Sequence, residues 1–490
     1  MKLWRKVCKC PCKPSPLLAS QTSYPSNDDY SNPLVTSYAY SWCDSTTTET
    51  QCVEDIVSGV NGSSPVNLIN VDGTLFFTAT DASGDVELWK SDGTADGTSL
   101  VKNINASGSS SPTNLTNVNG TLFFIATDAS GDVELWKSDG TADGTSLVKN
   151  INTSGSSSPA NLTNVDGTLF FTATDASGDV ELWKSDGTAD GTSLVKNINT
   201  SGSSSPANLT TVDGTLFFTA TDALGDVELW KSDGTADGTS LVKNINTSGS
   251  SSPANLTTVD GTLFFTATDA LGDVELWKSD GTADGTSLVK NINTSGSSSP
   301  TNLTNVNGTL FFTANDGVNG NELWKSDGTA DGTSLVKNIN TSGSSSPANF
   351  TNVDGTVFFT ATDASGDVEL WTSDGTVDGT SLVKNINTSG SSSPTNFTNV
   401  NGTLFFTADD GVNGNELWKS DGTASGTLLV KNICAGASSS SPTGLTNVRG
   451  TLFFAAADGT NGCELWKTRD TYQVKERRTT LPTVSDTQNG

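Results

Sequence analysis

The chain has 490 residues, no histidine and a single methionine, and only 33% of its residues are hydrophobic. Basic residues are also scarce: 26 Lys and Arg stand against 54 Asp and Glu, a formal net charge of −28. Each shortage excludes something. Without histidine there is no Ser-His-Asp or Cys-His pair, no His-ligated zinc and no imidazole pH switch. The acidic balance argues against nucleic acid and anionic membrane as partners, because both would repel the chain. No apolar run approaches the roughly 18 residues of a membrane-spanning helix, so no membrane insertion is expected. Low apolar content with high net charge is, by itself, close to the composition of a disordered chain.

What the sequence has instead is repetition. Trp89, Trp136 and Trp183 begin a series that runs to Trp418 at intervals of 47 residues, and Trp466 follows after 48. Residues 184–230 and 231–277 are identical at every position. Such a period marks a repeat architecture in which each copy buries its apolar faces against its neighbours. In the first copy, Val66–Val71, Thr74–Thr80, Val86–Lys90 and Ser99–Ile104 read as short strands. They are separated by Asp72-Gly73, Asp81–Asp85 (DASGD) and Ser91–Thr98 (SDGTADGT). Leu75, Phe77 and Ala79 alternate with Phe76, so both faces of the second strand carry apolar groups and the sheet must be covered on both sides.

Four antiparallel strands per copy predict an all-β fold, a β-propeller of about nine four-stranded blades; a linear β-solenoid is the alternative. Solenoid coils are usually shorter, and Asp-Gly hairpin turns suit meandering blades better. The ninth copy dissolves after Trp466, whereas Cys52–Ile56 (CVEDI) matches a fourth strand placed before the first complete copy. Joining these ends would close a ring. The domain plan is thus a basic, Ser/Pro-containing mobile tail over 1–41, the propeller over 42–470 closed by strand 52–56, and a mobile tail over 471–490.

The motif ELWKSDGTADGT, present in variants from Glu87 to Glu464, resembles the ELWxxDGT repeat family of bacterial and archaeal surface or secreted proteins. Eight copies keep ELW, one residue, Ser and DGT; blade 7 reads ELWTSDGT and the ninth departs as ELWKTRDT. The resemblance covers roughly residues 53–468 and implies a propeller-like module, and it assigns no chemistry. The SDGTADGT hairpin also resembles the Asp-box of sialidase-type propellers. There an Asp accepts backbone hydrogen bonds and a Gly takes a positive φ.

Carboxylates are the reactive groups present in quantity. Asp92 with Asp96, and Asp139 with Asp143, are candidates for holding calcium, a hard cation that prefers oxygen ligands; turn-making is the competing role for these residues. No other cofactor is expected. Near-identical blades offer no unique cleft residue, so the expectation is no enzyme but a non-catalytic extracellular or cell-surface scaffold or adhesion module. Its partners would be surface proteins or glycans, and the ring would be monomeric. A multivalent carbohydrate- or calcium-binding propeller is the alternative, and a glycoside hydrolase-like propeller comes third. Asn152, Asn199, Asn246, Asn293, Asn340 and Asn387 stand in NTS sequons and are glycosylation candidates on a secretory route. Cys43, Cys52, Cys434 and Cys463 cluster near the predicted seam as disulfide candidates, suggesting an oxidising compartment. Cys8, Cys10 and Cys12 form a CxCxC cluster in a tail that lacks the apolar core of a signal peptide.

Overall fold

In the computed structural model the described residues are 50–59 and 61–469, and every regular element among them is a β-strand. Nine four-stranded antiparallel sheets follow one another, eight built from consecutive strands. In blade 1 these are Val66–Val71, Thr74–Thr80, Val86–Ser91 and Ser99–Lys102. The ninth sheet takes Thr443–Val448, Thr451–Ala457 and Cys463–Arg469 from the chain end and Gln51–Glu54 from its beginning. Gln51 lies opposite Lys467 and Cys52 opposite Trp466. This is the register in which Ser99 and Leu100 face Lys90 and Trp89 in blade 1. The ring is therefore a nine-bladed β-propeller, latched by the strand expected at 52–56 but one residue earlier at its start. Cys43 and both terminal tails lie outside the described residues.

The turn chemistry explains the strand boundaries. Asp72 and Gly73 both take positive φ (49° and 89°), as a two-residue type I′ hairpin requires. Asn70 Oδ1 accepts the Gly73 N–H at 2.8 Å and tightens that turn. Asn67, one residue into the first strand, is also left-handed at φ 55° and sits in a bulge between Val66 and Ile69. Its amide donates to Thr78 Oγ1 at 3.1 Å and to Pro112 O of the next blade at 3.4 Å. Innermost strands also bond around the ring, as when Asn164 Nδ2 donates to Asn117 O of the preceding blade at 3.4 Å.

The apolar core is divided into nine equivalent parts, each between two blades. Val71, Phe76, Leu88 and Val101 of blade 1 pack against Leu122, Phe124 and Ala126 of blade 2. Leu75, Phe77 and Ala79 point the other way, toward Val448, Phe453 and Leu465 of blade 9 and Val53 of the closing strand. Leu75 and Phe77 are fully buried, as are their counterparts around the ring. The second strand thus serves two interfaces at once, which is why LFF does not alternate cleanly.

A second device joins the blades. Glu87 of ELW is fully buried, and its Oε1 accepts the N–H of Ser110, in the tract crossing to blade 2, at 3.1 Å. The Ser110 hydroxyl accepts the N–H groups of Ile104 and Asn105, both at 3.0 Å, and its carbonyl accepts the N–H of Thr127 in blade 2 at 2.8 Å. One serine therefore ties the third and fourth strands of a blade to the second strand of the next. At the seam Ser63 takes this place, donating its N–H and hydroxyl to Glu464 at 2.7 and 2.6 Å.

Cys52, Cys434 and Cys463 are unpaired, which corrects the expectation of disulfides among them. Strand pairing and the Val53 cluster hold the seam instead. Burial pushes the Cys52 thiol up to about 12, with the Glu464 and Asp55 carboxylates adding to it, so this thiol stays protonated and unreactive. If the seam is as complete as an interior interface, Leu465→Ala and Leu229→Ala should each cost about 2–5 kcal/mol in urea unfolding. A clearly smaller loss at Leu465 would show that the ring is open there.

Candidate ligand clefts between blades

The repeat motif first has to be read as structure. Asp92 Oδ1 accepts the Thr94 N–H at 2.8 Å and the Thr94 hydroxyl at 2.7 Å. Thr94 Oγ1 in turn accepts the Gly97 N–H at 3.0 Å. Ser91 Oγ accepts the Gly93 N–H at 2.9 Å and shares a hydrogen bond with the Thr98 hydroxyl at 2.8 Å. Two glycines are needed for different reasons. Gly140 has φ 88° and lies against Phe76 of the preceding blade, where a Cβ would come within 3.0 Å of the ring. Gly144 lies under Asp139, and a Cβ there would meet the carboxylate at 2.1 Å. Ser91, Asp92, Thr94 and Thr98 are thereby bonded within the turn.

These contacts decide the status of the predicted metal ligands. Asp92 and Asp139 are turn-makers, and the Thr94 and Thr141 hydroxyl and N–H bonds hold their carboxyls below the ordinary range. Asp96 and Asp143 are exposed at the hairpin tips. No group of three or more His, Cys, Asp or Glu side chains placed to hold a metal occurs among the described residues. The six sequon asparagines are half-buried in the crossing tracts. Asn152 is representative: its Oδ1 accepts the Ser154 N–H at 3.1 Å and its amide donates to Ser156 O at 3.3 Å.

A cleft opens between adjacent blades on the end that carries the first-to-second and third-to-fourth turns. Between blades 3 and 4 it is lined by Asp166, Thr168, Phe170 and Lys184 of one blade and by Gly214, Asp233 and Gly234 of the next. Its volume is about 200 Å³. Asp233 is held below the ordinary carboxylate range by the Thr235 hydroxyl and N–H, and Lys184 across the cleft adds to that. The matching lysine at the seam, Lys467, donates to Gly93 O of blade 1 at 2.6 Å. Carboxylate, ammonium, hydroxyl and a phenyl ring thus converge in one opening. Sequence reasoning missed this cleft because its two walls come from different copies.

No family model matches the chain, and no curated protein matches it. Solved structures do. Over 73% of this chain and 60% of theirs, a puromycin hydrolase is similar at 14% identity with a TM-score of 0.38. Prolyl oligopeptidase B from Galerina marginata is similar at 13% identity over 66% and 50%, with a TM-score of 0.40. Pyrococcus horikoshii acylaminoacyl peptidase is similar at 9% identity over 80% and 57%, with a TM-score of 0.38. The chain therefore spans 50–60% of the length of these proteins. By name one is a hydrolase and two are peptidases, against the expectation of a non-catalytic scaffold or adhesion module that is no enzyme; likeness at this level shows the fold alone.

The buried glutamates set a pH dependence. Burial pushes Glu87, Glu134, Glu181 and their counterparts in blades 4–7 and 9 above the ordinary 4.5, and the serine hydrogen bonds offset it only in part. Between that raised value and 4.5 the folded ring binds more protons than the unfolded chain, so stability rises as pH falls. The hairpin aspartates act in the opposite sense: held below their ordinary 3.8, they withdraw stability as pH drops under it. Denaturation followed across pH should show greatest stability between 3.8 and 4.5. Glu181→Gln should flatten the climb from neutral pH, and a stability maximum at neutral pH would contradict this account.

Proposed function

We propose that the ring is a multivalent binding propeller that takes carbohydrate at the clefts between its blades. The observation that supports this most is the recurrence of the cleft: a second one lies between blades 7 and 8, and the Thr168 and Phe170 positions of its lining hold Thr and Phe in every blade. Sugar hydroxyls are recognised by fixed carboxylates and amines that donate and accept in defined directions, beside an apolar surface. Phe170 supplies that surface at the cleft wall; the connecting loops hold no aromatic. A volume of about 200 Å³ suits a terminal sugar unit rather than a long chain.

Symmetry shapes the binding that results. Equivalent weak sites on one rigid ring gain avidity only when a ligand is displayed in several copies, by about 10²–10⁴-fold over a single site. A glycan array probed with the full chain, with calcium and with chelator, tests the reading. Retention on at least one densely displayed glycan is expected, with the free monosaccharide competing far more weakly. A blank array from a chain whose circular dichroism shows folded β-sheet would sink the reading.

A further inference from the structure

The four most exposed large apolar side chains among the described residues stand at one repeat position. They are Leu224, Leu271, Val318 and Val412, between 70% and 86% exposed. Each is the third residue of a second-to-third turn, at the end of the ring opposite the clefts. Blades 1, 2, 3 and 7 have serine there (Ser83, Ser130, Ser177 and Ser365), and blade 9 has Thr460. The first aspartate of the turn holds the backbone N–H of this residue. Asp81 accepts from Ser83 at 2.7 Å, Asp222 from Leu224 and Asp269 from Leu271 at 2.8 Å, and Asp316 from Val318 at 2.9 Å. A Cβ built at Gly225 or Gly272, beside the leucines, would meet nothing within 4 Å. The apolar side chains therefore project into water from turns that serine builds equally well.

Three of the four are neighbours. Blades 4 and 5 share one apolar core and blades 5 and 6 the next, so Leu224, Leu271 and Val318 follow one another along a single arc. Val412 is separated from them by Ser365 of blade 7. This end of the ring is acidic throughout. Its turns hold two aspartates in each of six blades and one in each of three, and neither these turns nor the crossing tracts contain a lysine or arginine. The repeat's lysines serve the other end: Lys184 lines the cleft, and Lys102 donates to Thr145 O of the next hairpin at 2.7 Å.

We infer that the arc over blades 4–6 is a docking surface for a polypeptide segment folded as a basic amphipathic helix. The apolar stripe of that helix covers Leu224, Leu271 and Val318. The lysines or arginines bordering the stripe face the aspartates of the same turns, Asp222 and Asp226 in blade 4 and Asp316 in blade 6. An exposed apolar patch of this kind marks an interaction site, and the sign of its surroundings selects the partner. A second copy of this acidic chain and an anionic bilayer are both repelled, whereas a cationic helix complements the patch and the charge together. The surface is single per ring and lies at the end opposite the carbohydrate clefts, so it stands apart from them.

Fluorescence anisotropy of a labelled leucine–lysine helical peptide of about five turns, titrated with the full chain in about 0.15 M salt, tests the inference. A scrambled peptide of the same composition carries the charge without the stripe. The helical peptide should saturate at one per chain and bind about tenfold or more tighter than the scrambled one. Leu224→Ser with Leu271→Ser installs the residue that four blades already carry, so the ring stays folded, as circular dichroism will check. That chain should bind the two peptides equally. Adding Ser83→Leu and Ser130→Leu to it should restore the preference on a new arc. Equal binding of both peptides by the wild type, a preference that survives in the folded serine variant, or no recovery on the new arc would each overturn the inference. So would dimerisation, or retention on phosphatidylcholine vesicles, that the serine variant abolishes, because either assigns the arc to another occupant.

Discussion

The second strand of every blade has two apolar faces, and the rest of the fold follows from that. Leu75, Phe77 and Ala79 need a cover on one side and Phe76 on the other. No single copy can supply both, so an isolated blade would leave one face in water. A linear stack would leave such a face at each end. Closing the array removes both ends together, and Val53 of the borrowed strand completes the last cluster. A chain with 33% hydrophobic residues is able to fold because those residues sit where two blades share them.

The polar residues of the repeat are committed in the same way. Glu87 and Ser110 fasten one blade to the next, Asp92 and Thr94 shape the hairpin, and Gly93 and Gly97 make room for their neighbours. An abundance of carboxylates is therefore poor evidence of a site, because most are used by the fold. What the repeat leaves open is the cleft formed where two copies meet. The clefts are near copies of one another except where a substitution alters one wall, as Thr372 does.

Much of this was legible in the sequence. The 47-residue period, the Asp72-Gly73 turn and the match of residues 52–56 to a fourth strand are local patterns, and they led to the ring and its closure. Strand ends shifted by a residue or two, since the third strand runs on to Ser91 and the fourth stops at Lys102. What was not legible depends on contacts between copies. Glu87 looks like an ordinary surface acid in ELWKSDGT, yet its burial is set by a serine 23 residues onward. Lys184 and Asp233 meet only through the ring, so the cleft has no linear signature. The cysteines near the seam suggested disulfides because proximity in the sequence plan is not the same as paired geometry.

Native-state hydrogen exchange tests ring closure most directly, since it reports local opening blade by blade. The peptides to compare are the second strands of blades 2, 5 and 9, Thr121–Thr127, Thr262–Thr268 and Thr451–Ala457. A closed ring with equivalent interfaces predicts the same protection for all three, lost together in one cooperative transition. Protection that falls off progressively toward Thr451–Ala457 would mean an open array with a frayed end, and would contradict the account.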